Sequence, residues 1–215
     1  NTGENNPEKV QKILLKIVWE NLNKPFKRTE IIGLNGTGKS TLLKKFTENS
    51  PNVTKNIPIK KHPFLILKTL FIHSIPALLL YAKSKSFHVF KHYLHFNASI
   101  YILKLWRKHD NYPSNNLILD QGPFFQLAVL YKEGCFDKTT FSKYLIELQK
   151  SFHKVFLLTA PSEILYDRVM NRKNSNGRGQ YMSFEEFSDF CNDYNNSFDL
   201  ICKHVHHTII DTNNI

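Results

Sequence analysis

The chain has 215 residues and a formal net charge of +11, and 41% of its residues are hydrophobic. This length is enough for one substantial core but hardly for two full domains, so a single domain over residues 1–215 is predicted, and the apolar content excludes a disordered chain. Three separated cysteines without a Cys-x-x-Cys pair argue against a disulfide framework or a zinc knuckle and predict a cytoplasmic protein.

The first predicted element is an amphipathic helix over residues 7–22, where Pro7 suits the first helical position and apolar residues follow at helical spacing. An apolar strand over residues 29–34 then runs directly into the sequence GLNGTGKST. Residues 41–48 are predicted as the helix that follows. Strand, glycine-rich turn and helix, in this order, are the context of a phosphate-binding P-loop.

The glycine-rich turn has the spacing of that motif, with Gly33, Gly38, Lys39 and Ser40 at the pattern positions. Glycines let backbone N–H groups surround a phosphate, and the helix start adds its positive dipole end. We expect Lys39 to reach the β and γ phosphates of ATP, Ser40 to place its hydroxyl on Mg²⁺, and Thr41 to contact the α phosphate. The predicted nucleotide-binding residues of the loop are Gly33, Asn35, Gly36, Thr37, Gly38, Lys39, Ser40 and Thr41.

Positive charge is concentrated after this helix. No acidic residue occurs between Glu48 and Asp110, whereas ten Lys and Arg residues do. The segment 49–109 is also rich in Phe, Leu, Ile and Tyr. A basic and apolar composition of this kind indicates an anionic partner.

Two helices are predicted within this segment, over residues 64–82 and 86–108. The first is long enough to invite comparison with a membrane span, but Lys68, His73 and Pro76 interrupt its apolar sequence. A core or acceptor-site helix is therefore favoured. Peripheral contact with an anionic membrane is the alternative, because lysines flank its apolar residues.

The remaining elements alternate between strands and helices. Three short apolar runs predict buried parallel strands, with a weaker candidate over residues 53–59. The last helix begins with Ser183 and Glu186 at the spacing of a capping box. This alternation predicts a parallel α/β sheet covered on both faces. The strands are 116–120, 154–159 and 208–211, and the helices are 124–133, 138–151, 162–173 and 184–203.

A carboxylate ends the predicted strand 116–120, in the sequence NLILDQGP. At the carboxyl end of a parallel strand, Asp120 would lie on the ligand edge of the sheet, where it could face Mg²⁺ and the γ phosphate. Its alternative role is to cap the helix that starts at Pro123.

Arginines follow the predicted strand 154–159. Arg168 and Arg172 share one face of the predicted helix 162–173, and Arg178 lies in a polar, glycine-containing turn. These side chains could close over the transferring phosphoryl oxygens as a mobile lid over residues 168–180. A solvated basic helix is the alternative.

The order of GLNGTGKST, NLILDQGP, the strand in VFLLTAPSE leading into DRVMNRK, and a final HTIIDTN resembles the nucleoside and nucleotide kinase group of P-loop proteins over residues 28–213. These are the relatives of thymidylate, deoxynucleoside, adenylylsulfate and shikimate kinases. The resemblance implies a P-loop kinase-like three-layer α/β fold, in which a parallel sheet is flanked by helices, with a helical acceptor segment at 49–109 and a short lid.

The same resemblance implies roles for individual residues. Asp120 corresponds to the acid that acts as base or magnesium organiser, and many relatives have arginine where this chain has Gln121. Arg168, Arg172 and Arg178 correspond to lid arginines. The residues expected near the adenine are Asp211, Thr212 and Asn213.

The sequence thus predicts an enzyme, a phosphotransferase that uses ATP and Mg²⁺ to phosphorylate a small, anionic hydroxyl acceptor such as a nucleotide, a sugar phosphate or a glycan precursor. The catalytic candidates are Lys39, Asp120, Arg168, Arg172 and Arg178, and the metal candidates are Ser40 and Asp120. A GTPase is disfavoured because no Asn-Lys-x-Asp motif is present. The alternatives are a kinase acting on nucleic-acid ends, which the basic segment permits, and a non-catalytic ATP-binding switch or membrane-docking module.

Overall fold

The computed structural model describes residues 27–49, 53–54, 57, 59, 62–109, 116–171 and 181–213. The predicted helix over residues 7–22 and residues 172–180 of the predicted lid lie outside these ranges. Within them the backbone forms five strands and seven helices.

The strands and helices follow one another as the apolar patterns predict. The strands are β1 (Lys27–Gly33), β2 (Val53–Thr54), β3 (Asn116–Asp120), β4 (Lys154–Thr159) and β5 (His207–Asp211). The helices are α1 (Lys39–Asn49), α2 (Pro63–Ser84), α3 (Phe87–His109), α4 (Pro123–Lys132), α5 (Lys138–Gln149), α6 (Ser162–Met170) and α7 (Phe184–Cys202). Of the weaker strand candidate at 53–59, residues 53 and 54 form β2, and residues 55, 56 and 58 lie outside the described ranges.

The five strands form one sheet in the order β2-β3-β1-β4-β5, and every neighbouring pair is parallel. Strand β1 is central, with Ile31 opposite Asp120 of β3 and Gly33 opposite Leu158 of β4. The carboxyl ends of these strands therefore lie along the same edge of the sheet. The predicted α/β fold with a parallel sheet flanked by helices is confirmed.

Helix α4 occupies the centre of the helical packing. It contacts α3, α5 and α7, and apolar side chains surround it, as expected for a helix buried on all sides. Phe124 is fully buried, as are Phe187 and Phe198 of α7. Burying each of these rings contributes about 1.5–3 kcal/mol relative to exposure. The core thus fixes the helix that begins three residues after Asp120.

Helix α2 differs from the other long helices. Thr69 and Ala77 are buried against α3, but only 11% of its most apolar 18-residue window is buried. The interpretation of residues 64–82 as a core helix is therefore wrong for most of its surface, because α3 covers only one side. Among the described residues, α2 is the one helix long and apolar enough to cross a membrane, judged by length and composition alone.

The capping box predicted at the start of α7 is confirmed. Ser183 Oγ accepts a hydrogen bond from the Glu186 backbone N–H at 3.2 Å, and Glu186 Oε2 accepts one from the Ser183 backbone N–H at 2.8 Å. Two N–H groups of the first turn that lack helical partners are satisfied in this way.

We predict that Ser183→Ala lowers the free energy of unfolding by about 1 kcal/mol, because the Glu186 N–H loses its acceptor. Ser183→Asp is the matched control, since a carboxylate can still accept that bond and should leave most of the stability in place. Urea denaturation of the wild type, Ser183→Ala and Ser183→Asp measures the differences in the free energy of unfolding, with one m-value used for all three proteins. Equal stability of Ser183→Ala and the wild type would show that the cap contributes nothing.

Candidate functional site

The loop between β1 and α1 depends on glycine at the end of the strand. Gly33, Gly36 and Gly38 all have positive φ angles, of 145°, 94° and 82°. A Cβ atom on Gly33 would lie 2.5 Å from the Leu158 carbonyl oxygen of β4, which is closer than any side chain tolerates. Gly33 therefore lets the chain leave the sheet directly into the loop.

Lys39, the first residue of α1, is enclosed by this loop. Its side chain is buried, and Nζ donates hydrogen bonds to the carbonyl oxygens of Gly33, at 2.8 Å, and Leu34, at 2.6 Å. Thr37 Oγ1 donates to the same Leu34 oxygen at 2.8 Å. The ammonium and the amino end of α1 thus place positive charge inside the loop, as phosphate binding requires.

The two predicted metal-binding residues lie side by side. Ser40 Oγ donates a hydrogen bond to Asp120 Oδ2 at 3.1 Å, although the two residues are 80 positions apart. Asp120 Oδ1 is buried and has no hydrogen-bond partner among the described residues. Carboxylate and hydroxyl oxygens are ligands that Mg²⁺ prefers, and a buried carboxylate oxygen needs a cation or a donor. This pair therefore fits a magnesium ion.

A tight turn joins Asp120 to α4. Gln121 has a φ angle of 53°, and a Cβ atom on Gly122 would lie 2.8 Å from Glu30 Oε2. The N-cap of α4 is Gly122, and no side chain caps it from that position. The alternative role of Asp120 as cap of this helix is therefore wrong: its carboxylate is turned to Ser40 instead.

Glu30, in the middle of β1, performs the capping that was considered as the alternative role of Asp120. Its carboxylate accepts hydrogen bonds from the backbone N–H groups of Phe124, at 2.9 Å, and Phe125, at 2.8 Å. Complete burial raises the pKa of Glu30 to about 8; these N–H donors oppose the rise and Asp120 adds to it. The detectable signal in the sequence is an acidic residue directly before the apolar Ile31 and Ile32 of this strand.

Arg168, on α6, connects the loop to the residues after β5. Its guanidinium donates to the carbonyl oxygens of Gly36 at 3.3 Å, Thr212 at 2.8 Å and Asn213 at 3.2 Å. Thr212 is itself held by the Thr159 carbonyl at the end of β4. The predicted adenine-side residues therefore lie close to the predicted phosphate loop.

The structure thus brings together part of the predicted site. Lys39, Ser40 and Asp120 lie at the carboxyl edge of the sheet, and Arg168 borders the loop beside residues 211–213. Asn35 and Thr41 are exposed. The roles of Arg172 and Arg178 stay predictions, because both residues lie outside the described ranges.

A cavity of about 410 Å³ lies between α2 and α3, inside the predicted acceptor segment. Its wall is mostly apolar, with Thr69, Lys91 and His95 as polar members. His95 Nδ1 lies 3.0 Å from Gln126 Nε2, which connects the wall to α4. Burial lowers the pKa of His95, and neighbouring Lys91 adds to the effect.

Solved structures identify the class of fold. Shikimate kinase from Bacteroides thetaiotaomicron superposes with a TM-score of 0.51 at 14% identity, covering 87% of this chain and 87% of that one. Deoxyadenosine kinase from M. mycoides with bound dATP superposes with a TM-score of 0.49 at 19% identity, covering 86% of this chain and 90% of that one. No protein-family model matches the sequence, and no curated protein matches it. The fold is similar to that of P-loop kinases of small molecules, as the sequence predicted.

We predict that the stability of the wild type, compared with Glu30→Gln, falls as pH rises from about 4.5 towards about 8. Below this window the carboxyl is protonated in both states. Within it the unfolded chain loses the proton that the folded protein keeps, so up to about 1.4 kcal/mol is lost per pH unit. Above about pH 8, the stability of the wild type relative to Glu30→Gln should no longer change with pH.

Urea denaturation of both proteins across this range measures the effect. Glu185→Gln, at an exposed position of α7, is the matched control and should show no such trend between neutral and alkaline pH. A stability difference between the wild type and Glu30→Gln that does not change with pH would mean that Glu30 ionises normally in the folded protein.

We predict that Arg168→Ala lowers the free energy of unfolding by about 1–2 kcal/mol, because three backbone carbonyls lose a charged donor. Amide hydrogen exchange should also accelerate at residues 33–38 and 211–213. Arg168→Lys should restore little of the lost stability or of the slow amide exchange, because one ammonium group cannot replace the several N–H donors of a planar guanidinium. Unchanged exchange in both segments would show that Arg168 does not hold them together.

Proposed function

We propose that this protein is an ATP-dependent and Mg²⁺-dependent phosphotransferase that moves the γ phosphate of ATP to a hydroxyl group of a small molecule. The observation that carries the proposal is the hydrogen bond between Ser40 and Asp120, next to the loop that encloses Lys39. A glycine turn that bound no nucleotide would not require a carboxylate at this position. The P-loop kinase-like fold supports the proposal.

Each residue of the site has a role that follows from its position. The loop N–H groups and the Lys39 ammonium would hold the β and γ phosphates and balance the charge that develops during transfer. Ser40 and Asp120 would hold Mg²⁺, which supplies further neutralisation of phosphate charge when bound. Asp120 would also orient the acceptor hydroxyl or accept its proton.

The acceptor would bind in the cavity between α2 and α3. Its volume of about 410 Å³ suits a small molecule, and its apolar wall suits a ring or a short hydrocarbon portion. Lys91, an exposed lysine of α3, supplies positive charge at this wall, and Thr69 and His95 supply polar atoms. These features support an acceptor that combines an apolar portion with an anionic group, such as a nucleotide.

We expect a screen with labelled ATP, across nucleosides, nucleotides, sugar phosphates and oligonucleotides, to identify phosphate transfer to a small molecule. Lys39→Ala and Asp120→Asn should each reduce that transfer by at least about 100-fold. Asp120→Asn should still bind ATP, because Lys39 and the loop are unchanged.

Matched controls come from exposed residues of the same type. Lys44→Ala, on α1, and Asp189→Asn, on α7, should transfer phosphate at the wild-type rate. Transfer to oligonucleotide ends alone would favour the nucleic-acid kinase. Wild-type activity in Asp120→Asn, or ATP binding with no transfer to any acceptor, would contradict the proposed roles.

A further inference from the structure

Helix α2 has two different sides. The inner side packs on α3, where Thr69 and Ala77 are buried and the His73 ring lies within hydrogen-bonding distance of the Tyr93 and Tyr101 hydroxyls, at 3.4 and 3.1 Å. These contacts fix the middle of α2, from Thr69 to Ala77, against α3. The opposite side has no such neighbour among the described residues.

That opposite side forms a continuous apolar stripe, which we call the outer face. Its six members are 54–89% exposed and recur at intervals of three and four residues, so they share one side of the helix. Soluble proteins rarely expose an apolar surface of this extent unless it binds something. The outer face consists of Phe64, Leu67, Phe71, Ile75, Leu78 and Leu79.

The charges around the outer face indicate what it binds. No acidic residue occurs anywhere between Glu48 and Asp110, so neither α2 nor α3 carries one. Lys83 and Lys85 are exposed at the carboxyl end of α2, and Lys68 is exposed with its Nζ 5.2 Å from the centre of the Tyr101 ring of α3. An apolar face with cations at its borders matches an anionic lipid surface, in which acyl chains lie below phosphate groups.

The same charges argue against a second copy of this chain. Two identical outer faces would bring lysines together without a single carboxylate from α2 or α3 to pair with them. The inner contacts of His73, Thr69 and Ala77 with α3 also oppose a helix that crosses the bilayer alone. They are compatible with a helix that lies along the surface.

We propose that the outer face of α2 docks this protein on anionic membranes, with α2 in the plane of the lipid interface. The argument for this interaction does not rest on the proposed phosphotransferase activity. It requires the apolar side chains to enter the interface and the lysines to contact lipid phosphates.

Co-sedimentation of the full chain with vesicles tests the proposal. Binding to phosphatidylcholine vesicles that contain phosphatidylglycerol is expected, with much weaker binding to phosphatidylcholine alone and a decrease as salt is raised. Ile75→Ser should weaken binding about tenfold or more. Ile146→Ser is the matched control, because Ile146 is an exposed isoleucine of α5, and it should bind as the wild type does.

Labelling of Phe71→Cys with a maleimide tests what covers the outer face. The thiol should react readily without lipid and become protected when anionic vesicles are added, with the wild type measuring the background from its own cysteines. Protection without lipid would mean that residues 7–22 or a second copy covers the face, and this would overturn the proposal. Equal vesicle binding by Ile75→Ser and Ile146→Ser, or no binding to anionic vesicles, would also overturn it.

Discussion

The site depends on one constraint, which is that β1 is paired on both sides with parallel strands. Because parallel strands end at the same edge of a sheet, the residues that follow β1, β3 and β4 come together there. The register fixes which residues meet: Ile31 lies opposite Asp120, and Gly33 lies opposite Leu158. A slip of one residue in β1 would turn the Glu30 carboxyl away from α4. The first two backbone N–H groups of α4 would then lose their acceptor.

The neighbouring carboxyl groups of Glu30 and Asp120 have different roles. Glu30 is fully buried, and burial raises its pKa to about 8 while its carboxyl group holds the first turn of α4. Asp120 is free of that structural task and pairs with Ser40. Because burial favours the neutral form of Glu30, Asp120 is the carboxyl group better suited to give an oxygen ligand to a cation.

Most of the fold could be predicted because its signals are local. Apolar runs and helical spacing located the described strands and helices, and the spacing of glycines, Lys39 and Ser40 located the loop. The role of Glu30 could not be predicted, because it depends on how β1 faces α4, which is 94 residues away. The partners of Arg168 are backbone carbonyls, which leave no residue pattern to detect. The exposure of α2 was missed because an apolar sequence does not show how many sides neighbouring helices cover.

Helix α2 contributes residues both to the wall of the cavity and to the outer face. Ile66, Thr69 and Leu70 line the cavity proposed for the acceptor, while Leu67 and Phe71 lie on the outer face. Any shift of α2 when the outer face binds lipid would therefore reshape the cavity wall. If lipid changed the affinity for the acceptor in this way, the acceptor would change the affinity for lipid by the same factor, because the coupling between two binding sites is reciprocal. The absence of acidic residues along α2 and α3 serves both surfaces, since neither an anionic acceptor nor an anionic membrane would meet a like charge there.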